Sequence, residues 1–434
     1  MNFYFSQNGR RVVLVDGCRI PFLRANTDYI DFTSYDLGRL AIKAILDKTQ
    51  IDPRMVDSVH MGTVISNMQT SNIARESALG AGIPDTVPAF TVTQACISAN
   101  RAITTGADLI KTGQADIIIA GGTESMSDIP IKYRKKFRQR LIESQRYRGL
   151  TDYLKFLKGL HFSDLLPEIP AIAEFSTQKT MGQDCDILAA RLGISRKEQD
   201  EYAVRSHLLA ARALEEGLFD QEIEAVMLPP DFEIISQDNG IRADSTLEKL
   251  ETLKPAFMKP YGTLTAGNSS FLTDGAAAVL LMSEEKAKAL GYKPKAFIRA
   301  YTYSAQDPQL ELLLGPAYST SRILDLTGMI LSDFDVFEFH EAFAAQILAN
   351  LKMLDSDQFA KKKLGKEKKI GEIPLDRLNN IGGSLSIGHP FGATGARLVT
   401  TAANRLVREE GTLALIASCA AGGLGNAIVL ERYW

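Results

Sequence analysis

Residues 379–395 read NNIGGSLSIGHPFGATG, a glycine-rich stretch with a His-Pro pair that leads directly into a run with helical apolar spacing. That run places Ala396, Leu398, Val399, Ala402 and Leu406 on one face. Glycine permits positive φ and close backbone approach, and proline favours the first turn of a helix. We therefore predict that His389 lies at a strand-to-helix turn, with its imidazole directed at the foot of the helix. A histidine with a purely structural role would fit this turn equally well. The other motifs of the chain are therefore needed to choose between a structural and a catalytic role for His389.

The composition narrows the class of protein. The chain has 434 residues, enough for two domains or one large duplicated domain, with 45% hydrophobic and 23% charged residues. It contains no run of apolar residues long enough for a membrane-spanning helix, and we expect neither a signal peptide nor a transit peptide at its start. The net charge of −3 argues against a general nucleic-acid surface, so no nucleic-acid partner is expected.

Four cysteines are scattered along the chain without CxxC spacing, at Cys18, Cys96, Cys185 and Cys419. This pattern favours reduced thiols in a cytosolic-type compartment and makes structural zinc improbable, so we expect no metal site. We expect a cytoplasmic protein, with the mature form of a mitochondrial protein as the alternative.

Short apolar runs alternate with amphipathic stretches in the first third and again in the last third of the chain. This βαβα pattern predicts a mainly parallel sheet with helices on both faces. The predicted strands are Arg11–Asp16, Asp57–Val64, Ala89–Thr93, Asp116–Ala120, Lys295–Tyr301, Asp335–Phe339, Thr412–Ser418 and Ala427–Glu431. The predicted helices are Ser34–Lys48, Asn72–Ala81, Ala99–Thr112, Tyr318–Thr327, Glu341–Leu354 and Ala396–Glu409.

The two thirds also resemble each other. Cys96 precedes a helix, a strand and a double glycine, and His389 precedes a helix, a strand, Cys419 and a double glycine. We interpret this as a weak internal duplication that places Cys96 and His389 at equivalent helix N-termini. The predicted division is an N-terminal half at 1–125 and 263–295, an inserted loop domain at 126–262 and a C-terminal half at 296–434.

Four short segments carry groups suited to acyl transfer: TQACISAN around Cys96, EFHEAFAAQ around His340, GGSLSIGHPFGATG around His389 and SCAAGGLGNA around Cys419. With these motifs in this order, the chain resembles the thiolase family over essentially its whole length. The match to Asn-x-x-Gly-Gly-x-x-x-Gly-His-Pro at Asn379–Pro390 is very specific. The resemblance implies a duplicated, layered αβαβα fold with an inserted loop domain.

Two details point to one branch of that family. Most thiolases carry Asn where this chain has His340, and the His-Glu-Ala-Phe form resembles the β-subunit of the fatty-acid-oxidation trifunctional complex and its bacterial counterparts. The segment Leu253–Ala277 also resembles that branch. The resemblance implies degradation of medium- or long-chain 3-ketoacyl-CoA and a homodimer core. It also implies a partner α-subunit that carries enoyl-CoA hydratase and 3-hydroxyacyl-CoA dehydrogenase.

The resemblance also implies roles for the residues of the four motifs. Cys96 is the expected nucleophile, with its thiolate favoured by a helix dipole and a nearby imidazole. His389 is the expected base and Cys419 the expected acid, while His389 and His340 would hold the enolate oxygen. The backbone N–H groups of Cys96 and Ala421 would hold the tetrahedral oxygen. The family usually has glycine at the position of Ala421, so room beside that donor is narrower here.

No dinucleotide or Walker-type phosphate loop is present, so nicotinamide and ATP chemistry are unsupported. Coenzyme A is the expected co-substrate, and no permanently bound cofactor is expected. By resemblance, Ser270 and the region near Met181 should line the pantetheine tunnel.

Taken one at a time, Cys96, Cys419 and His340 could each be core residues. His60, His161, His207, Cys18 and Cys185 are interpreted as structural.

Residues 131–160 carry ten lysines and arginines against two acidic residues, a local net charge of +8. An apolar stripe of Tyr133, Phe137 and Leu141, and a second of Leu150, Tyr153, Leu154 and Leu157, run through these charges. The pattern is typical of an interfacial helix that binds anionic lipid or a partner. The alternative is a solvated basic hairpin that covers the active site or meets the CoA phosphates. The lipid interpretation predicts peripheral contact with the inner membrane.

Three other functions stay open at this point. A biosynthetic acetoacetyl-CoA thiolase differs from the degradative enzyme in its chain-length dependence. A β-ketoacyl synthase is disfavoured by the second cysteine, Cys419. Synthases that resemble this fold use two histidines with the nucleophile and act on acyl-carrier-protein substrates. A catalytically inactive, thiolase-like lipid-binding scaffold would form no acyl adduct on Cys96.

Overall fold

The structure is a computed structural model that describes residues 9–149, 151–152, 156, 158–168 and 173–434. Its strands are β1 Val12–Arg19, β2 Leu23–Arg24, β3 Ser58–Gly62, β4 Ala89–Val92, β5 Ile117–Glu124, β6 Lys132–Tyr133, β7 Pro167–Glu168, β8 Val226–Leu228, β9 Glu233–Ile235, β10 Thr273–Ser283, β11 Ala296–Ala305, β12 Val336–Phe339, β13 Leu413–Ala420 and β14 Leu424–Arg432. Its helices are α1 Ser34–Thr49, α2 Ile73–Gly80, α3 Ser98–Lys111, α4 Lys135–Ser144, α5 Phe162–Leu165, α6 Met181–Leu192, α7 Arg196–Glu215, α8 Leu247–Glu251, α9 Glu284–Ala289, α10 Gly315–Thr327, α11 Ala344–Leu354, α12 Asp357–Phe359, α13 Ser384–Ile387 and α14 Thr394–Arg408.

The strand order repeats in the two halves of the chain. Strands β3, β5, β10 and β1 are neighbours in that order, and β12, β13, β14 and β11 form the same series in the second half. In each series the first pair is parallel and the next two pairs are antiparallel. Pairing between β1 and β11 joins the two series into one sheet. The repeated topology agrees with the internal duplication that the sequence suggests.

Alternate residues along the strands enter different cores, as the pleat of a strand requires. In β5, Ile117 and Ile119 face the outer core with α1 and α2, whereas Ile118 faces the central core. In β13, Ile416 faces the same central core, whereas Leu415 faces the outer core with α10 and α11. Helices α3 and α14 fill the centre between the two sheet halves. The result is the layered αβαβα fold that the sequence predicts.

The prediction of a mainly parallel sheet is wrong. Strand β10 is antiparallel to both of its long neighbours, β1 and β5, and β14 is antiparallel to β11 and β13. Apolar runs show that both faces of a strand are buried, which holds here because helices cover both faces. They carry no information about strand direction.

The double glycine Gly121–Gly122 lies inside β5, which continues to Glu124 instead of ending at Ala120 as predicted. A Cβ on Gly121 would lie 2.1 Å from the carbonyl oxygen of Ala277, and one on Gly122 would lie 1.8 Å from that of Gly392. These glycines therefore mark close backbone approach, of Gly121 to β10 and of Gly122 to the turn before α14, rather than the end of a strand.

The region between β5 and β10 adds helices and two small ribbons, β6–β7 and β8–β9, to the part of the chain that the structure describes. Helices α6 and α7 contribute Cys185, Leu188 and Tyr202 to the core of the C-terminal half. The predicted domain boundaries at 125, 262 and 295 remain predictions. Within the described residues, no helix combines the length and apolarity that crossing a membrane requires.

Candidate active site

Cys96 lies in the turn between β4 and α3. Its neighbour Ala95 has a φ of 47°, which is uncommon for a residue other than glycine. The side chain of Ser98 holds this turn from inside the helix, because its Oγ accepts from the N–H of Gln94 at 2.8 Å and donates to the carbonyl of Ala95 at 2.7 Å. The turn places Cys96 two residues before the start of α3, as the sequence predicts for a helix N-terminus.

The backbone N–H groups of Ala421 and of Cys96 itself act on the Cys96 sulfur, and both lower its pKa. Burial outweighs them and raises the pKa of the Cys96 thiol to about 12. Burial thus opposes the expected stabilised thiolate in the free site, although the Cys96 side chain is partly exposed. In the same turn, the residues with positive φ are Gly422 and Gly423, so alanine at position 421 causes no backbone strain.

Cys419 lies near the end of β13 and is 2% exposed. Burial raises the pKa of its thiol well above the usual range, and a charge on Cys96 would raise it further. The same β13 end therefore brings the Cys419 thiol and the Ala421 N–H to the sulfur of Cys96. The two thiols that the sequence singles out meet in one site.

His340 follows β12, and its N–H bonds to the carbonyl of Ala417 in the adjacent β13 at 2.8 Å. Its side chain is fully buried, and Nδ1 lies 3.1 Å from the hydroxyl of Ser384. The other ring nitrogen, Nε2, is buried and has no hydrogen-bond partner among the described residues. Burial, followed by His389 and Arg397, lowers the pKa of His340 well below its usual value, so the ring is neutral.

His389 lies between α13 and α14, not at the strand-to-helix turn that the sequence predicts. Gly388, with a φ of 113°, ends α13 and turns the chain toward the histidine. The N–H of His389 bonds to Thr273 Oγ1 at 3.0 Å, and its Nδ1 lies 2.7 Å from Thr394 Oγ1. Burial, followed by Arg397, lowers the pKa of His389 to about 3, so this ring is neutral as well.

These four side chains come from the ends of β4, β12 and β13 and from the start of α14. The ring centroids of His340 and His389 are 4.0 Å apart. The site therefore combines two neutral thiols, two neutral imidazoles and two backbone donors. Such a set can form a covalent thioester, move protons and stabilise an oxyanion.

Two buried carboxylates hold the loops that carry these residues. Glu341 accepts from the hydroxyls of Tyr202 and Ser206, both at 2.9 Å, and from Nδ2 of Asn379 at 2.7 Å. Glu124 accepts from the backbone N–H groups of Ile65 and Gly392, both at 2.9 Å, and of Val64 at 3.0 Å. Burial raises the pKa of Glu124 to about 7. Sequence reasoning assigned no role to either carboxylate, although Glu341 stands beside His340 in its motif.

The segment before β10 runs between the two histidine-bearing loops. The N–H of Ser270 bonds to the carbonyl of Ala342 at 3.0 Å, and Leu272 pairs with His389. Met181 begins α6 and packs partly buried against the core of the C-terminal half. The contact of Ser270 and Met181 with coenzyme A remains a prediction.

The remaining histidines and cysteines do not join the site. His60 lies between Ser58 Oγ, 3.0 Å away, and the carbonyl of Ala102. The thiol of Cys18 is buried against the carbonyl of Ala41. Cys185 is buried in the core near Cys419, whose charge would raise the pKa of Cys185.

The chain matches two family models, the thiolase N-terminal domain over residues 12–285 and the thiolase C-terminal domain over residues 292–432. The chain therefore belongs to the thiolase family, which confirms the resemblance noted in the sequence.

Its relatives include the mitochondrial trifunctional enzyme subunit beta of Bos taurus, 53% identical over 98% of this chain and 89% of the relative. A probable 3-ketoacyl-CoA thiolase of Caenorhabditis elegans is 51% identical over 98% of this chain and 95% of that protein. A 3-ketoacyl-CoA thiolase of Photorhabdus laumondii is 46% identical over 98% of both chains. Among solved structures, the human mitochondrial 3-ketoacyl-CoA thiolase superposes with a TM-score of 0.84 at 31% identity, covering 98% of this chain and 99% of that one.

Proposed function

We propose that the chain is a 3-ketoacyl-CoA thiolase of fatty acid β-oxidation, an acyltransferase that cleaves medium- and long-chain 3-ketoacyl-CoA with coenzyme A. The products are acetyl-CoA and a shortened acyl-CoA. The proposal is supported by the interaction of the Cys96 and Cys419 thiols and by the 4.0 Å separation of the His340 and His389 rings, in a chain that is 53% identical to a trifunctional enzyme subunit beta.

In the first half-reaction, Nε2 of His389 accepts the proton of the Cys96 thiol as the sulfur attacks C3 of the substrate. The C2–C3 bond then breaks, and its electron pair leaves as the enolate of acetyl-CoA. The thiol of Cys419 gives its proton to C2. Because the pKa of Cys96 is raised to about 12 and that of His389 is lowered to about 3, the proton stays on sulfur until the attack begins. The nucleophile therefore forms only in the presence of substrate.

In the second half-reaction, coenzyme A releases the acyl group from Cys96. Transfer of a proton from His389 to the Cys419 thiolate first restores both neutral groups. His389 then accepts the proton of the coenzyme A thiol, which attacks the thioester, and Cys96 leaves and regains its proton from His389. Coenzyme A is thus a co-substrate rather than a resident cofactor, and Ser270 and Met181 are proposed to line its path.

Two donor pairs are proposed to hold the developing negative charges. His340 and His389 would bind the enolate oxygen, and the N–H groups of Cys96 and Ala421 would bind the tetrahedral oxygen. The second pair is supported by the direction of both N–H groups toward the Cys96 sulfur. One such donor typically lowers the barrier by about 3–4 kcal/mol.

Intact-mass measurement after incubation with a 3-ketoacyl-CoA tests the covalent step. We expect an acyl adduct on the wild-type chain and none on Cys96→Ala. An inactive scaffold would give no adduct on either. Thiolysis rates across acyl lengths then distinguish a degradative enzyme from a biosynthetic acetoacetyl-CoA thiolase, which would act on the shortest substrate alone.

The proposed assembly is a homodimer core that binds an α-subunit with enoyl-CoA hydratase and 3-hydroxyacyl-CoA dehydrogenase activities. Its support is the identity to relatives whose names describe one subunit of a trifunctional enzyme. Mass measurement of the complex purified from its native source, without affinity selection of the partner, tests both parts. A 3-ketoacyl-CoA-active species without an α-subunit would contradict the assembly.

Peripheral contact with an anionic membrane is proposed for residues 131–160. Helix α4 has no buried residue, and Ile131, Tyr133 and Ile142 are exposed beside its basic side chains. The second predicted stripe, at Leu150, Tyr153, Leu154 and Leu157, lies outside the described residues.

Flotation with anionic and with neutral liposomes at low salt tests this contact. We expect retention on the anionic liposomes alone, and loss of it in Lys135→Glu/Arg138→Glu. A matched charge reversal at an exposed pair elsewhere, Lys361→Glu/Lys362→Glu, should still bind.

The compartment follows from the source of the chain. The mitochondrial names of the mammalian relatives support the mitochondrial alternative, and the bacterial relative supports the cytoplasm.

A further inference from the structure

Each of the two site histidines meets one hydroxyl group at its Nδ1 atom. Ser384 Oγ lies 3.1 Å from Nδ1 of His340, and Thr394 Oγ1 lies 2.7 Å from Nδ1 of His389. A neutral imidazole has one nitrogen that donates and one that accepts. A group that makes Nδ1 a donor therefore makes Nε2 an acceptor toward the substrate, and a group that makes Nδ1 an acceptor makes Nε2 a donor.

The hydroxyl of Thr394 already has an acceptor for its hydrogen. Thr394 Oγ1 lies 3.0 Å from the carbonyl oxygen of Pro390, an atom that can only accept. Both contacts of Thr394 are hydrogen bonds only if its oxygen accepts from His389. The hydrogen of His389 therefore lies on Nδ1, and Nε2 is left as a bare acceptor.

The hydroxyl of Ser384 is in the opposite situation. Its oxygen accepts from Nη2 of Arg397 at 2.9 Å, and a guanidinium can only donate. Ser384 and His340 are both fully buried, and a buried hydroxyl hydrogen without an acceptor is costly. The hydrogen of Ser384 therefore goes to Nδ1 of His340, and the hydrogen of His340 lies on Nε2, the atom that has no partner among the described residues.

We propose that Ser384 and Thr394 are positioning residues that hold His340 and His389 in opposite tautomers. His389 thereby presents a bare Nε2 that can accept a proton, and His340 presents an Nε2–H that can donate to an oxyanion. This inference rests on the proposed roles of the two histidines as base and oxyanion donor. Because burial keeps both imidazoles neutral, the tautomer rather than the charge separates their roles.

The direct test is the tautomer of each ring in protein labelled with ¹⁵N-histidine, because protonated and bare ring nitrogens differ strongly in ¹⁵N chemical shift. His340→Gln and His389→Gln assign the two rings through the signals that disappear. In the wild-type chain we expect hydrogen on Nε2 of His340 and on Nδ1 of His389. Any other pair of tautomers in the wild type overturns the proposal, and this reading does not depend on whether a Ser384 or Thr394 variant folds.

Variants then test the two hydroxyls separately. Ser384→Ala should move His340 toward the Nδ1–H tautomer and leave His389 unchanged, and Thr394→Val should affect His389 alone. Ser386→Ala removes another buried hydroxyl of α13 and should change neither ring. Ser384→Thr keeps a hydroxyl and should keep the tautomer. If Ser384→Ala leaves His340 entirely as Nε2–H, Ser384 does not position that ring.

The kinetic arm separates this inference from the function on which it rests. Ser384→Ala should lower kcat for thiolysis by about 10- to 10³-fold, with 10³-fold the approximate cost of losing a whole donor, and should change KM little. Ser384→Thr should restore most of the rate. The expected tautomers in a wild-type chain that forms no acyl adduct would refute the proposed function and leave the assignment of hydrogens intact. An active wild type with unchanged kcat in Ser384→Ala would refute the positioning role alone.

Discussion

The imidazole rings of His340 and His389 lie with their centroids 4.0 Å apart and their planes tilted by 44°. Two like charges at this separation would repel each other by about 4 kcal/mol at an effective dielectric constant of 20. When His389 accepts the proton of Cys96, His340 must therefore remain a neutral hydrogen-bond donor. The division of roles follows from this distance.

Removal of the donor at position 340 should slow the chemistry. His340→Leu replaces the imidazole with an apolar side chain of similar size that cannot donate a hydrogen bond. We expect kcat to fall about 10²- to 10³-fold. His340→Asn keeps a neutral side chain with N–H donors and should lose less. Steady-state thiolysis measures the difference, and melting temperatures control for folding. Equal rates in the two variants would contradict an oxyanion role for His340.

Loss of Cys419 should separate the two half-reactions. Acylation of Cys96 by a saturated acyl-CoA needs only the nucleophile and its base, whereas cleavage of a 3-ketoacyl-CoA also needs a proton at C2. Cys419→Ala should therefore still exchange labelled coenzyme A into acyl-CoA, while its thiolysis rate falls at least about 10²-fold. Cys96→Ala should lose both activities. A Cys419→Ala enzyme with normal thiolysis would place the acid elsewhere.

Acid should destabilise the fold between pH 6.5 and pH 4 through its buried histidines. Burial lowers the pKa of His60 to about 4 and that of His207 to about 4, so the unfolded chain binds more protons than the folded chain in this range. Their stabilising contribution is complete above pH 6.5 and is lost as the pH falls toward 4. For His60 the loss at pH 5 is about 2 kcal/mol.

Urea unfolding at pH 7.5 and pH 5 measures this loss. His60→Gln should flatten the pH dependence, whereas a change at the exposed His161, such as His161→Gln, should leave it unaltered. Glu124 acts in the opposite direction, because its pKa is raised to about 7 and its contribution disappears as the pH rises through that value. A free energy of unfolding that increases on acidification from pH 7.5 to 5 would contradict the histidine argument.

The buried charges around Glu338 should matter far more to stability than those of exposed ion pairs. Glu338 is fully buried, its Oε1 lies 2.7 Å from Arg405 Nη1, and its Oε2 lies 3.7 Å from Arg397 Nη1. Glu338→Gln leaves two buried guanidinium groups without their common counter-charge and should cost about 3–5 kcal/mol.

The exposed pair of Lys43 and Asp47 provides the control, and Lys43→Ala should change the free energy of unfolding by less than about 1 kcal/mol. Equilibrium urea unfolding at pH 7.5 compares the two variants. Similar small losses in both would show that the cluster is solvated in solution.

Local patterns in the chain predicted many of the elements and the reactive groups, but they missed β10, Thr273–Ser283, which lies between β1 and β5 in the sheet. The helix from Ser34 ends within one residue of its predicted end. The Cys96 and Cys419 thiols lie close enough to affect each other, and the rings of His340 and His389 are 4.0 Å apart. Strand direction could not be predicted, because strands covered by helices on both faces have the same apolar pattern whether they run parallel or antiparallel.

The state of Cys96 could not be predicted either, because two effects of unequal size oppose each other. The dipole at a helix N-terminus stabilises a thiolate by about 0.3–1 kcal/mol. Burial favours the neutral thiol and raises its pKa by up to about 3–5 units. A motif shows the first effect, but only tertiary packing shows the second. Ser384 and Thr394 stand inside a recognised motif, yet their roles depend on Arg397 and on the Pro390 carbonyl, contacts that exist only in the folded chain.

A single guanidinium, that of Arg397, joins the charge cluster of Glu338 to the hydroxyl that faces His340. The stability of the fold and the catalytic rate therefore both depend on the Arg397 side chain. A substitution at this position that changes one should also change the other. If selection for heat resistance replaces this charge cluster with apolar residues, we expect the variants to have higher melting temperatures and lower kcat. Selection for speed should in turn leave position 397 untouched.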